Sequence, residues 1–440
     1  MGRGNGTLFW AGLLLVGATS PMVAQDTRTR AVVTLPEAIE MAERVQPQVV
    51  RALGDIRSAD ARKLAATGAW FPSLTLTGTG TNDFSEGTSR IDPASGTLIS
   101  GNRTTTTVRS NASATFELFD GFRRSAESRA ASATGRAADA NYTDARFQQA
   151  LATTNQFFAA LSAQQLLAVR EAGVARAREQ LNTSIARLQT GAATRSDTLR
   201  SSVLLGNAQL ALLTAETQLA TAEANLARLI GAEGRVAAAD DPVFYATRDL
   251  IDTVSLRAEA LARAPQVMAA EAAQQAARAT MTSSKSAYWP TLSLTGSANV
   301  NSSSTTDFRV FRGRSLSLNM NWQIFNRFQR EQQVATQSIA YDNAEAAAGE
   351  ARRVVQADLT TRLAELNAAR LRIQITQASV VAAQEDLRVQ QERYRLGAGI
   401  ILDVLTSQEA LSQAEVDAVN ARFDYLRAKA QIETLIGRSL

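Results

Sequence analysis

The chain has 440 residues, enough for two or three ordinary domains by length alone. It contains no cysteine and no histidine, which removes thiol nucleophiles, an imidazole base and Cys/His zinc sites at once. The formal charge is +4, with both signs interleaved along the chain and no basic patch of the kind that binds nucleic acid.

Residues 1–24 read as a secretory signal. Arg3 is the only charge before Asp26, an apolar run spans Leu8 to Val16, and small residues with Pro21 lead to a cut after Ala24. Removing them leaves a net charge of 45 − 42, or +3. No later stretch of about 18 apolar residues exists, so a mature chain that crosses a membrane must do so with strands.

The remainder is a duplication. Pro47 and Pro265 stand 218 apart (265 − 47), as do Pro72 and Pro290. Further on the spacing becomes 206, as for Phe119 and Phe325, Gly191 and Gly397, Asp197 and Asp403, Gly231 and Gly437. The 12-residue difference (218 − 206) falls between Pro72 and Phe119, which places it in a solvent-exposed loop tip. Residues 25–231 form repeat one, with a β-hairpin at about 73–118 and long helices at about 121–229. Residues 232–253 form a linker holding Asp240-Asp241-Pro242. Residues 254–440 form repeat two, with a hairpin at about 291–324 and long helices at about 327–435.

Each repeat turns from helix to strand at an aromatic–proline step, Trp70-Phe71-Pro72 and Tyr288-Trp289-Pro290. Proline ends the helix because it lacks an N–H and its ring disfavours a helical predecessor. Four strands follow, alternating between an apolar and a polar face. The clearest sets Leu316, Leu318, Met320, Trp322 and Ile324 against Ser315, Ser317, Asn319, Asn321 and Gln323. Period two over about ten residues is the transmembrane β-barrel pattern, and it also fits a half-buried soluble sheet. Trp70, Phe71, Phe116, Phe119, Tyr288, Trp289, Trp322 and Phe325 stand at the strand ends, where aromatic rings suit a membrane–water boundary. The stretches Asn82 to Thr105 and Asn301 to Gly313 read as exposed hairpin loops.

Four strands do not close a membrane barrel, and an open edge in lipid is prohibitive. Other copies must complete it: two would give eight strands, three would give twelve, and arithmetic alone leaves both open. Gly121 to Gln189 and Arg327 to Arg395 are proline-free runs of 69 residues, about 100 Å each as helix. Returning helices follow glycine turns at Gly191 and Gly397-Ala398-Gly399. Helices of such length need partners along their sides.

The duplicated aromatic–proline starts, and the tip Tyr394-Arg395-Leu396-Gly397-Ala398-Gly399-Ile400-Ile401-Leu402-Asp403-Val404-Leu405, resemble the outer-membrane efflux protein family, the TolC-like exit ducts of Gram-negative bacteria. The resemblance covers essentially the whole mature chain. It implies a mainly α fold with a membrane β part: a homotrimer with a twelve-stranded β-barrel in the outer membrane and a twelve-helix tunnel in the periplasm. It implies a passive duct without catalytic residues, metal or cofactor, fed by an inner-membrane pump of the RND, ABC or a similar class through a periplasmic adaptor protein.

The resemblance also implies a gate at the periplasmic end. Ser196 and Asp197 stand where the family has acceptors, Tyr394 where an aromatic donor reaches that acid, and Asp403 where members carry an acidic ring. Gly399 replaces the family's basic latch residue, and Thr406 a second acid. Leu188, Gly191, Leu396, Gly397 and Gly399 match the surface that meets the adaptor. For Asp197 and Asp403 the alternative role is helix N-capping. The competing assignment for the whole chain is a periplasmic adaptor or structural coiled-coil protein.

Overall fold

The computed structural model describes residues 30–99, 101, 103–245, 256 and 260–438. The signal segment 1–24 lies outside the described residues, as do positions 246–253 of the linker.

A short strand β1 (Ala31–Val33) leads into helices α1 (Leu35–Val45) and α2 (Pro47–Gly68). Thr34 and Glu37 cap α1 reciprocally, the Thr34 N–H donating to Glu37 Oε2 at 2.9 Å. Pro47 breaks α1 from α2, since it holds Gln46 in an extended conformation. Past Pro72 the chain forms β2 (Ser73–Ser85), a loop with the two-residue ladder β3 (Arg90–Ile91) and β4 (Leu98–Ile99), and then β5 (Arg103–Phe119). Helices α3 (Arg123–Gln189) and α4 (Arg195–Ile230) follow, then β6 (Val236–Ala238) and a 3-10 turn at Pro242–Tyr245. The second repeat supplies α5 (Pro265–Ser284), β7 (Thr291–Ser303), β8 (Phe311–Asn321), α6 (Gln329–Arg395) and α7 (Ile401–Ile436).

The duplication reaches down to the backbone. Helices α3 and α6 each have 67 residues, and α4 and α7 each have 36. Strands β2 and β7 each have 13. Ser73 pairs with Thr115, and Thr291 with Asn321, so shifting one strand by 218 and the other by 206 reproduces the same hairpin register. The unequal loops leave that register unchanged.

The four long strands form one antiparallel sheet in the order β2-β5-β7-β8. Its register lines up like with like. Thr75, Ser113, Ser297 and Ser315 form one row across the sheet, and Leu74, Ala114, Gly296 and Leu316 the next. A polar face and an apolar face therefore persist over all four strands. Leu74 and Leu316 are 80% and 74% exposed, so the apolar face is bare in the single chain. The outer edges of β2 and β8 have no partner among the described residues.

Strand boundaries differ from the sequence expectation at both ends of the sheet. Strands β2, β5, β7 and β8 all extend into the stretches read as loop: Thr81, Asn82 and Asp83 continue the ladder with Thr107, Thr106 and Thr105, and Asn301 pairs with Phe311. Threonine suits a pleated ladder, and the hydroxyl-rich composition concealed this. At the other end β8 stops at Asn321, short of Ile324. Its counterpart β5 runs to Phe119 because β7 pairs with it there, through a bulge after Glu117. Residues 322–325 have no strand beside them among the described residues.

The helices form a layer beneath the sheet. Near the sheet its order is α2, α3, α5, α6; farther away it is α4, α3, α7, α6. One margin thus carries β2, α2 and α4, and the other β8 and α6. At the waist β1 and β6 pair in parallel over a core of Phe157, Phe158, Leu226, Ile230 and Phe423. There the buried Glu223 accepts from Arg235 at 2.8 Å and pairs with Arg30 at 3.4 Å, tying both short strands to α4.

Candidate functional site

At the sheet–helix junction each repeat makes the same sharp turn. Gly121 and Phe122 have φ of +67° and +67°, and Arg327 and Phe328 have +59° and +63°. Left-handed backbone costs a residue with a side chain about 1–2 kcal/mol. What requires glycine at 121, where the counterpart Arg327 carries a side chain, is crowding: a Cβ there would lie 2.6 Å from Trp289 Cβ. The turn is held by Asp120, whose Oδ2 accepts from the Arg124 backbone N–H at 2.9 Å and from its Nε at 3.0 Å in a buried ion pair. Asn326 does the same more loosely for the Arg330 N–H at 3.4 Å.

The strand-end aromatics gather at this level. Trp70, Phe71, Tyr288, Trp289, Trp322 and Phe325 are exposed, while Phe116 and Phe119 are half-buried. Edge-on ring pairs join Phe119 to Phe122 at 5.5 Å, Phe122 to Trp289 at 6.1 Å and Phe325 to Phe328 at 5.5 Å. The Arg124 guanidinium lies 4.7 Å over Trp70, and that of Arg330 4.2 Å over Tyr288. These two arginines stand 206 apart and escaped the sequence reading, although that spacing was the signal for them.

At the far end the two helical hairpins turn identically. Gly191 and Gly397 have φ of +72° and +76°. The Ala192 N–H donates to Arg187 O at 2.8 Å, and the Ala398 N–H to Arg393 O at 2.8 Å. Positive φ with such a back-bond is the glycine C-cap. Leu396 is fully solvent-facing at 71% exposure, and Leu188 is partly exposed. At Gly399 a Cβ would approach Arg393 Cβ to 3.2 Å and Tyr394 N to 3.3 Å, so the tight turn leaves little room for the basic side chain that the resemblance implies there.

The hydrogen bond that the resemblance implied between Tyr394 and Asp197 is not formed in this structure. Asp197 Oδ2 accepts from the Thr194 N–H at 2.9 Å and Thr194 Oγ1 from the Asp197 N–H at 3.2 Å, a reciprocal helix cap. Ser196 beside it is exposed. Tyr394 is buried among Leu387, Ile401, Val404 and Leu411, and its hydroxyl has no partner among the described residues. Local capping satisfied Asp197, and apolar packing claimed the tyrosine. Asp403 occupies the same third helical position in α7, but Ile400 replaces the capping threonine. Its carboxylate is half-buried and takes no side-chain partner among the described residues.

What joins the two tips is Arg187. Its guanidinium lies 4.4 Å over the Tyr394 ring and donates to the carbonyls of Tyr394, of Arg395 at 3.1 Å and of Ala192 at 3.3 Å. Beside the tip, Ser196, Leu199 and Val203 of α4 with Leu402 and Leu405 of α7 line an open apolar groove of about 440 Å³.

Comparison with known proteins places this geometry. The sequence profile described as outer membrane efflux protein matches residues 38–232 and 256–438, once per repeat. The outer membrane efflux protein BepC of Brucella suis is 27% identical over 277 residues, 62% of this chain and 60% of that protein. The match therefore spans less than two thirds of BepC's own length. The pyoverdine export outer membrane protein OpmQ of Pseudomonas putida is 25% identical over 422 residues, 92% of this chain and 85% of that protein. The crystal structure of the outer membrane protein VceC of Vibrio cholerae superposes with a TM-score of 0.75 at 18% identity, covering 92% of this chain and 96% of that one.

Proposed function

This chain belongs to the outer membrane efflux protein family, and we propose that three copies of it form a passive export duct that receives cargo from an inner-membrane pump through a periplasmic adaptor. The chain's site is the outer membrane, as for that family. The observation that carries the reading is the open four-stranded sheet. It has one apolar and one polar face and two unpaired edges, and it runs directly into helices of 67 residues. In lipid such edges must be paired. Three copies give a twelve-stranded cylinder with its polar rows around water, and the four-wide helical layer continues it as a tunnel beneath.

The aromatic level from Trp70 to Phe325 then sits at the periplasmic face of the bilayer. The unpaired residues 322–325 reach the β2 strand of the next copy, as Phe116 to Phe119 reach β7 within the chain. The tip, with Leu188, Gly191, Leu396, Gly397 and Gly399, and the apolar groove between α4 and α7 suit a helical hairpin that lays its apolar face into them. Asp403 contributes one carboxylate per copy to a constriction that favours cations.

Planar-bilayer recording tests the reading. A duct gives cation-preferring single-channel steps at low conductance. A membrane that stays electrically silent in the presence of folded, detergent-extracted protein overturns it.

A further inference from the structure

The two repeats share helix lengths and hairpin register, so the contacts inside one chain are a template for those between chains. Within the chain α3 packs against α7. If copies follow one another around a ring, as the export-duct reading requires, the next seam brings α6 of one subunit against α4 of its neighbour. Its residues follow by adding 206 to those of the first repeat's helices and subtracting 206 from those of the second's. The free surfaces agree. Val419 is buried in the waist core, and Val169 packs on it. Their counterparts Leu213 and Ile375 are both exposed in the single chain, at 59% and 65%.

The polar pairs of the inner seam are not copied. Arg176 donates to Glu415 at 2.6 Å and Arg170 to Ser412 at 3.0 Å. Their counterparts are Ala382 with Gln209, and Thr376 with Gly206. The tip is the exception. Arg187 corresponds to Arg393, and its acceptor Ala192 to Ala398, on turns with the same backbone hydrogen bonds. Arg393 is exposed and donates only to Gln390, one helical turn back, at 3.3 Å. Among the described residues it has no partner on another element.

We propose that Arg393 of each subunit closes the seam to the next by donating to the carbonyls of Leu188 and Gln189 on the neighbouring subunit, as Arg187 does to Tyr394 and Arg395 inside the chain. The tip is then ringed by alternating internal and intersubunit arginine clasps. They are unequal. Leu188 stands where Tyr394 would, so the Arg393 guanidinium has no aromatic face beneath it and forgoes the cation–π attraction of its sibling. The ring therefore parts first between subunits.

The native chain has no cysteine, so engineered thiols have no background. The variant carrying Leu188→Cys and Arg393→Cys is treated in detergent with a short bifunctional thiol reagent, since an arginine's reach exceeds what a direct disulfide spans. The proposal requires covalent bands of two and three chains, while Arg187→Cys with Tyr394→Cys cross-links within one chain. If light scattering finds the assembled trimer but Leu188→Cys/Arg393→Cys yields only single-chain bands, the clasp is wrong and the duct stands. If scattering finds single chains in detergent, the duct reading fails and the clasp with it.

Discussion

The guanidinium of Arg187 lies 4.4 Å from the ring centre of Tyr394 and donates to the carbonyl of the next residue, Arg395, at 3.1 Å. The end of one 67-residue helix thus closes over the end of the other. Charge-assisted hydrogen bonds are each worth about 1.5–3 kcal/mol, and a cation–π contact adds about 0.5–2 kcal/mol. Arg187→Ala should loosen the tip and raise single-channel conductance or open time severalfold. Arg187→Lys should recover part of this, because it keeps the charge without the planar fork. Recordings of Arg187→Ala that match the parent would remove Arg187 from the gate.

Tyr394 and Asp197 separate from each other in the same assay. The Tyr394 hydroxyl is buried with no partner among the described residues, so Tyr394→Phe should leave conductance unchanged and stability unchanged or slightly higher. Asp197→Ala should cost about 0.5–1.5 kcal/mol of stability, read as a lower Tm, by removing the acceptor of the Thr194 N–H while the Thr194 cap stays. A rise in conductance on Tyr394→Phe would restore a hydroxyl latch.

Asp403 has neither a capping threonine nor a side-chain partner among the described residues. If it faces the bore of the proposed duct, three copies would bind divalent cations from the lumen. Asp403→Ala should weaken block by divalent cations about tenfold and reduce cation preference. Block at the parental concentration would place Asp403 away from the constriction.

The waist carries a response to alkali. Burial, together with the hydrogen bond to Asp240 Oδ1 at 2.6 Å, pushes the Tyr245 hydroxyl up to about 12, from an ordinary value near 10. A group whose folded value is raised stabilises the fold below its unfolded value and loses that contribution as pH rises through the folded one. Docking of the 242–245 turn should therefore weaken between about pH 10 and 12, and Tyr245→Phe should abolish that step. Amide exchange of this segment across that range checks it. An unchanged step in Tyr245→Phe would assign it elsewhere.

The sequence carried the architecture further than it carried the site. The period-two faces and the paired spacings of 218 and 206 came from composition along the chain, because register and repeat length are local, additive properties. The end of β8 was not legible: alternation runs on to Ile324, and only the sheet order shows that no strand among the described residues pairs with residues 322–325. At the tip the resemblance directed attention to Asp197 and Tyr394. Local capping by Thr194 and burial beside Val404 and Ile401 decided their contacts instead. Arg187 was missed because a surface arginine near a turn is unremarkable in sequence. Its counterpart at Arg393, 206 residues on, was the available clue.

The claim beneath all of this is that neighbouring copies pair the free edges of β2 and β8 into a closed cylinder. The mass of the detergent-extracted protein, measured by light scattering before and after heating, tests it most directly. Three chains that fall to one on heating are expected. A single chain that stays in solution without detergent would contradict it.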